Sequence, residues 1–197
     1  MPVLRGRVLP EAEDLFPKVY RATEAALPYF PELAEREIFV SMLALKVRHW
    51  TAYVVNCRDG VSILRWNINC VKYHDENELA GIASHELSHV LQFLGEEPKG
   101  ERGADLISLS RCGAIFTKSP SYLNSHGNYT LWDLWAGDAQ RLAQEALERR
   151  IGGHRNAAAW WEHQMHDLRW GNQAPDRGSG HFAGKLHLRP RKQAILL

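Results

Sequence analysis

The segment His85-Glu86-Leu87-Ser88-His89 places two imidazoles and one carboxylate at a spacing that suits metal chemistry. Histidines at positions i and i+4 of one helix lie one turn apart on the same face. Their ring nitrogens can then take two adjacent corners of a zinc tetrahedron. Glu86 faces the same cavity, where its carboxylate can accept a proton from a metal-bound water. These five residues predict a metal site with a general base beside it.

A third protein ligand is expected, because a catalytic zinc site has three protein ligands and leaves its fourth position to water. Twelve positions after His89, the segment ERGAD at 101–105 puts two carboxylates at i and i+4. We expect Glu101 to bind the metal and Asp105 to accept a hydrogen bond from the far nitrogen of a ligating histidine. The two roles could also be exchanged, since aspartate is a zinc ligand as well.

Two helices joined by a reversing loop would bring these groups together, and the sequence predicts both helices. Asp75 begins a run of acidic and capping residues before the first helix, and Gly95 is a plausible end for it. The glycines and the proline that follow allow the chain to reverse. The second helix is predicted from Glu101 to about Cys112.

The rest of the chain predicts a small sheet before these helices and more helices after them. A helix is expected over about 11–27, beginning nearer Asp14 because Pro17 is tolerated only in a first turn. The apolar run 38–45 suits a buried strand, and 51–55 with 61–68 suit a hairpin that turns at Asp59-Gly60. Helices are also predicted over 131–151, after a capping box of Thr130 and Asp133, and from Asn156 to 170, with no regular structure beyond 171.

These elements predict an α+β fold with a small, mainly antiparallel sheet packed on the helix of the first motif. Residues 1–112 would form the catalytic core. Residues 113–197 would add a helical extension with a loose tail, as part of the same compact domain. At 197 residues the chain is long enough for one domain with a substantial core.

HELSH followed by ERGAD resembles the gluzincin zinc metallopeptidases, and the short spacer and small chain resemble the minigluzincins most. The resemblance covers roughly residues 38–112. It implies a zincin-like fold and one Zn²⁺ per chain, held by His85, His89 and Glu101. It also implies peptide-bond hydrolysis with Glu86 as the general base. The segment 62–67 resembles the edge strand on which that family binds its peptide substrate.

A tyrosine or histidine that stabilises the oxyanion is also implied by the resemblance, and no motif locates it here. Tyr129 and His126 are candidates, because they lie in a polar loop of suitable character. In an alternative function, the protein binds the metal but catalyses no reaction. The protein would then be a catalytically silent or latent zinc-binding interaction protein of zincin fold, with its C-terminal helices over the cleft.

Structural alternatives exist for the motif residues. His85 and His89 could be satisfied core histidines, and Glu101 could be a solvated acid favoured by the helix dipole. Glu86 could form a buried ion pair with Arg102 or Arg111, since an unpaired buried carboxylate is costly.

The remaining histidines and tryptophans suggest no second site. His163 and His166, beside Asp167, suit solvent-exposed positions better than a second metal site. The spacing of the tryptophans in the C-terminal half suits helix packing better than a binding platform.

Composition and charge limit the partners. The formal net charge is +1, so no overall charge favours nucleic acid or an anionic membrane as a partner, and a peptide or protein substrate is what the resemblance implies. No stretch has 18 consecutive apolar residues. The three cysteines are widely separated, which predicts no disulfide framework and a cytoplasmic location.

Overall fold

A small mixed sheet and several helices make up the fold, in agreement with the α+β class. The computed structural model describes residues 3–45, 50–96, 98–115, 120–123, 132–153 and 156–171. Its strands are β1 (Val3–Val8), β2 (Glu37–Leu43), β3 (Ala52–Arg58) and β4 (Val61–Asn67). Its helices are α1 (Phe16–Ala26), the single-turn α2 (Ile68–Val71), α3 (Glu76–Phe93), α4 (Glu101–Cys112), α5 (Trp132–Ile151) and α6 (Ala157–Gly171).

The strands lie in the order β1-β2-β4-β3, and only β3 and β4 are antiparallel. The β1–β2 and β2–β4 pairs are parallel. The expectation of a mainly antiparallel sheet is therefore wrong. Two connections explain the difference. The chain crosses over through α1 between β1 and β2, which allows parallel neighbours, and the β3–β4 hairpin joins β2 through its second arm.

β1 was not predicted from the sequence, because its residues lack a regular apolar alternation. Arg5 and Arg7 are exposed, and Gly6 between them contributes no side chain. Such a pattern is common on the edge strand of a sheet, where charged side chains discourage further pairing.

The hairpin turns where it was predicted. Asp59 and Gly60 both have positive φ angles, 51° and 76°, as a two-residue type I′ turn requires. The hairpin has an unexpected consequence, because β4 pairs on both sides, with β2 and with β3. The segment 62–67 is therefore not an edge strand, and that expectation is wrong. Among the described strands, β3 forms this edge of the sheet.

α3 begins at a capping box that was only partly foreseen. Asp75 Oδ1 accepts a hydrogen bond from the Glu78 backbone N–H at 2.8 Å, and Glu78 Oε2 accepts one from the Asp75 N–H at 3.0 Å. The chain leaves the helix at Gly95, as predicted. α1 begins at Phe16, so that Pro17 lies in its first turn.

The main core lies between the sheet and the helices α1 and α3. Its largest fully buried members are apolar: Trp66, Phe30, Leu33, Ile38, Met42, Leu64, Leu79, Leu87 and Leu91. A second apolar cluster joins α4 to α5 and α6 through Leu106 and Leu109. α4 contributes to both clusters, because Ile107 and Cys112 belong to the main core.

The C-terminal helices follow the sequence prediction where they are described. Asn156 caps α6 by accepting a hydrogen bond from the Ala159 N–H at 3.3 Å. Trp161 is buried, and its indole N–H donates to the Ala139 carbonyl at 2.9 Å, in line with a packing role. The predicted Thr130 cap and the tail 172–197 lie outside the described residues. No helix in the described part of the chain is both long and apolar enough to cross a membrane.

We predict that Asp75→Ala lowers the free energy of unfolding by about 1 kcal/mol, because it removes the cap of α3. Urea denaturation monitored by circular dichroism measures this change. Asp138→Ala is the matched control on the solvent-facing side of α5, where a surface ion pair with Arg141 is lost. Its effect should stay below about 0.5 kcal/mol. Equal losses in both variants would contradict the capping role.

Candidate metal centre

Three ligand atoms from α3 and α4 form a nearly equilateral triangle. His85 Nε2 lies 3.1 Å from His89 Nε2 and 3.1 Å from Glu101 Oε2. The third side, from His89 Nε2 to Glu101 Oε2, measures 3.2 Å. Two ligands of a tetrahedral zinc, with bonds of about 2.0–2.1 Å, lie about 3.3 Å apart. The triangle therefore has the size of one face of a zinc coordination tetrahedron.

α3 supplies the two histidines and α4 supplies the carboxylate. The histidine rings stand one helical turn apart, with centroids 4.7 Å apart and planes nearly perpendicular at 85°. Glu101 is the first residue of α4, and its side chain is 52% exposed on the open side of the triangle. These are the residues that the two motifs were expected to bring together, and they lie close enough to hold a metal ion.

Asp105 lies behind His85, one turn further along α4. Its Oδ1 atom is 2.6 Å from His85 Nδ1, which is the contact expected of it. Its Oδ2 atom accepts hydrogen bonds from the backbone N–H groups of Tyr122 at 2.7 Å and of Leu123 at 3.2 Å. Asp105 is only 3% exposed, and both of its oxygens have partners. It therefore orients His85 and also fixes the segment 120–123 beside the site.

Gln92 occupies the corresponding position behind His89, and the sequence reasoning missed it. Gln92 Oε1 lies 2.9 Å from His89 Nδ1. The signal was present, since Gln92 follows His89 by three positions on the same helix, and residues at this spacing are neighbours. A buried glutamine beside a predicted ligand is therefore a reasonable place to seek a supporting hydrogen bond.

The hydrogen bonds behind the two rings fix where their lone pairs point. A neutral histidine that donates from Nδ1 has an unprotonated Nε2. Both Nε2 atoms then direct lone pairs toward the oxygen of Glu101. Three electron pairs at this separation repel one another unless a positive charge lies between them. A single proton can bridge only one pair of these atoms, whereas a metal ion contacts all three.

The pKa values of the metal-free protein reflect the same need for positive charge. Burial lowers the pKa of His85, but hydrogen bonds to Asp105 and Glu101 outweigh it, so the pKa is raised to about 10. The hydrogen bond to His85 is the main reason why the pKa of Glu101 is lowered to about 2, against a smaller opposing effect of burial. Without a metal, the cluster therefore retains a proton at neutral pH.

Glu86 lies against the triangle and is almost completely buried, with 6% of its surface exposed. Burial raises the pKa of its carboxyl group, whereas the charges of His85 and His89 lower it in part. A hydrogen bond from the backbone of Val54 on β3 also favours its charged form. A buried carboxylate with a raised pKa is a stronger base than an exposed one.

The predicted alternative of an ion pair between Glu86 and Arg102 or Arg111 is wrong. Arg102 instead pairs with Glu162, its Nη2 atom 2.6 Å from a carboxylate oxygen, and Arg111 pairs with Glu32 at 2.7 Å. These pairs lie on other faces of α4. An arginine side chain reaches solvent more easily there than it would beside Glu86, on the buried side of α3.

A cleft of about 960 Å³ opens beside the triangle. One wall is α3, and the opposite wall is the edge strand β3 with the residues that precede it. Tyr122 lies on the rim, with its ring stacked on His85 at a centroid distance of 5.5 Å and an angle of 21°. Exposed aromatic side chains, Trp50 and Phe93, line the cleft further from the metal ligands.

The other residues considered from the sequence do not join this site. His163 and His166 are exposed on α6, where both contact Asp167, as expected of solvated positions. Tyr129 and His126, the candidates for the oxyanion-stabilising group, lie outside the described residues. Tyr122 was not considered from the sequence, because tertiary contacts with Asp105 and His85 bring its segment to the site.

Comparison with known proteins adds no relative: no protein-family model, no curated protein and no solved structure matches this chain. The functional interpretation therefore depends on the two motifs and on the geometry of the site.

We predict that His85→Ala and His89→Ala each weaken Zn²⁺ binding by more than about 100-fold, beyond the effect of losing a supporting hydrogen bond. Competition with a chromophoric chelator measures the dissociation constant. His163→Ala is the matched control, because it removes an exposed helical histidine far from the triangle. A wild-type protein that binds no divalent metal, or a loss equal to that of the control, would contradict the site.

Proposed function

We propose that this protein is a zinc-dependent peptidase of the gluzincin type, with a zincin-like fold. The observation that carries the proposal is the triangle of His85, His89 and Glu101 with the buried carboxylate of Glu86 beside it, facing a cleft. The ligand triangle, the buried carboxylate and the cleft each occur in other kinds of site. Together they suit metal-assisted hydrolysis in particular. Three protein ligands leave a coordination position free, and a base is available at that position.

The donor set favours zinc among the common metals. Two imidazole nitrogens and one carboxylate oxygen match the ligands of catalytic zinc sites, whereas Ca²⁺ and Mg²⁺ prefer a shell of oxygens. The separations of 3.1–3.2 Å also suit a small tetrahedral ion. We expect one Zn²⁺ per chain.

Glu86 would act as the general base and then as the general acid. A bound Zn²⁺ would supply Lewis acidity, which makes a water molecule more acidic and polarises a scissile carbonyl. The carboxylate of Glu86 would take the proton of the attacking water. Because burial raises its pKa, the same group can hold this proton and pass it to the leaving amine.

The substrate would be a peptide in extended conformation, paired with β3 rather than with β4. A strand at the edge of a sheet has backbone groups that can pair with an added strand. β3 forms the wall of the cleft opposite α3, so a peptide added to it would run past the metal ligands. Trp50 and Phe93 would offer apolar surface to its side chains.

Tyr122 would supply a hydrogen-bond donor for the oxyanion. Its pKa is raised by partial burial and then by the nearby carboxylates of Glu101, Asp105 and Glu86. The phenol therefore stays protonated at neutral pH and can donate. Asp105 holds the backbone of this residue, and the ring stacks on His85, so its position is tied to the metal centre.

The alternative is a catalytically silent or latent zinc-binding interaction protein. Both functions require the same metal ligands, but only the peptidase requires Glu86 as a base. The solvent exposure of Trp50 and Phe93 at the cleft favours an open site among the described residues. Peptide cleavage decides between the two.

We predict that Glu86→Gln lowers kcat/KM by roughly 100- to 10,000-fold, because the base is lost while the shape is kept. Cleavage of a random peptide mixture, followed by mass spectrometry, measures activity, and chelator competition should show zinc affinity within about threefold of wild type. Glu145→Gln on exposed α5 is the control and should retain full activity. A wild-type protein that binds zinc but cleaves nothing would favour the interaction protein.

We predict that Tyr122→Phe lowers kcat by roughly 100-fold, the usual effect of losing one oxyanion donor. KM and zinc affinity should change little, because the ring and the backbone contact with Asp105 remain. Steady-state kinetics on the best peptide of the mixture separates the two parameters. Tyr73→Phe, at an exposed residue outside the cleft, is the control. An unchanged kcat would remove Tyr122 from the mechanism.

A further inference from the structure

We infer that Gln92 is a positioning residue that couples the second histidine ligand to the loop that delivers the third ligand. The inference depends on the metal site of the proposed function but not on peptide hydrolysis. It rests on three contacts of the side-chain amide of Gln92, a buried residue that is 8% exposed.

The amide nitrogen of Gln92 faces the loop between α3 and α4. Gln92 Nε2 donates to the Pro98 carbonyl at 2.7 Å and to the Gly100 carbonyl at 2.9 Å. Both partners are carbonyl oxygens, which only accept hydrogen bonds. The nitrogen must therefore be on this side of the amide, and the identity of both amide atoms follows from the contacts.

The amide oxygen consequently faces His89, and this sets the tautomer of the ring. Gln92 Oε1 can only accept, so His89 Nδ1, 2.9 Å away, must carry the proton. His89 Nε2 is then unprotonated and available to a metal. Asp105 does the same for His85, but with a carboxylate. The two rings are thus oriented by different chemical groups, one charged and one neutral.

The contact with the loop determines the position of the start of α4, and therefore of Glu101. Gly100 immediately precedes Glu101, and its carbonyl also accepts the first hydrogen bond of α4, from the Ala104 N–H at 2.9 Å. Gln92 therefore holds the start of α4 directly beside α3. A third hydrogen bond between Gln92 and the loop runs in the opposite direction, since the Lys99 ammonium donates to the backbone carbonyl of Gln92.

Gly103 explains why this close approach is possible. A Cβ atom at Gly103 would lie 2.3 Å from the Pro98 carbonyl oxygen and 3.0 Å from Gln92 Nε2. Any side chain there would push α4 away from the loop that Gln92 holds. The glycine within ERGAD therefore belongs to the same arrangement as Gln92.

The first measurement is the zinc affinity of Gln92→Met, a variant of similar shape without any polar side-chain group. We expect the dissociation constant to rise 10- to 100-fold, the usual effect of losing a partner of a metal ligand. Gln144→Met is the matched control, because Gln144 Nε2 also donates to a carbonyl of α4, that of Ser110 at 3.0 Å, away from the metal. The control should stay within about twofold of wild type.

The second measurement asks whether Gln92 acts on zinc affinity through the position of Glu101 or independently of it. If Gln92 holds Glu101 in place, then Glu101→Gln should cost less affinity in the Gln92→Met background than in wild type. Additive losses would overturn the coupling.

The third measurement is the NMR signal of the His89 Nδ1 proton in the zinc-loaded protein. We expect a slowly exchanging proton in wild type and in Gln144→Met, and its loss in Gln92→Met.

Folding must be controlled, since Gln92 is buried. Zinc affinities are compared at a temperature where circular dichroism shows that metal-free Gln92→Met and metal-free Gln144→Met are both folded. If Gln92→Met lowers the melting temperature but leaves the dissociation constant within twofold of wild type, its role is structural only and the inference fails. A wild-type protein that binds zinc but cleaves no peptide would contradict the peptidase and leave this inference intact.

Discussion

Three electron pairs converge between α3 and α4, and this convergence needs a positive charge. The two histidine nitrogens and the carboxylate oxygen are held 3.1–3.2 Å apart by groups behind them. Asp105 holds one ring and Gln92 the other, so neither ring can rotate away without breaking a buried hydrogen bond. Leaving such a group unpaired costs about 1–3 kcal/mol. The protein therefore holds together three ligand atoms that need a proton or a bound cation between them.

α3 connects the other parts of the structure, because each of its faces contacts a different neighbour. One face packs on the sheet and α1 through apolar side chains, and another carries the candidate metal ligands His85 and His89 toward the cleft. The face toward α4 contains small buried residues, including Ser84 and Ser88. Their hydroxyls donate to carbonyls of their own helix, at 2.7 Å and 2.9 Å, and Ser84 also interacts with Cys112 at the end of α4. Small side chains of this kind allow two helices to approach closely.

The C-terminal helices stabilise the site indirectly. α5 and α6 pack on the side of α4 that faces away from the main core. α4 is thereby held between two apolar clusters, and its first residue is the proposed third ligand. The segment 120–123 lies over the site because Asp105 accepts its backbone N–H groups. The region beyond 112, which no motif explained, therefore includes both the support of α4 and part of the rim of the cleft.

The sequence alone determined what depends on near neighbours along the chain. The capping box of α3, the turn at Asp59-Gly60 and the spacing of His85 and His89 are local, since hydrogen bonds and helical periodicity act over a few residues. The contact of Asp105 with His85 was also expected, because a metal-binding histidine needs a partner and ERGAD offered one. Only the tertiary structure decided the order and direction of the strands, the position of β3 at the edge, and the roles of Gln92 and Tyr122. Alternation of apolar residues specifies a buried face but not which strand lies beside it, and the Gln92 amide acquires its role only when the loop after α3 folds back onto it.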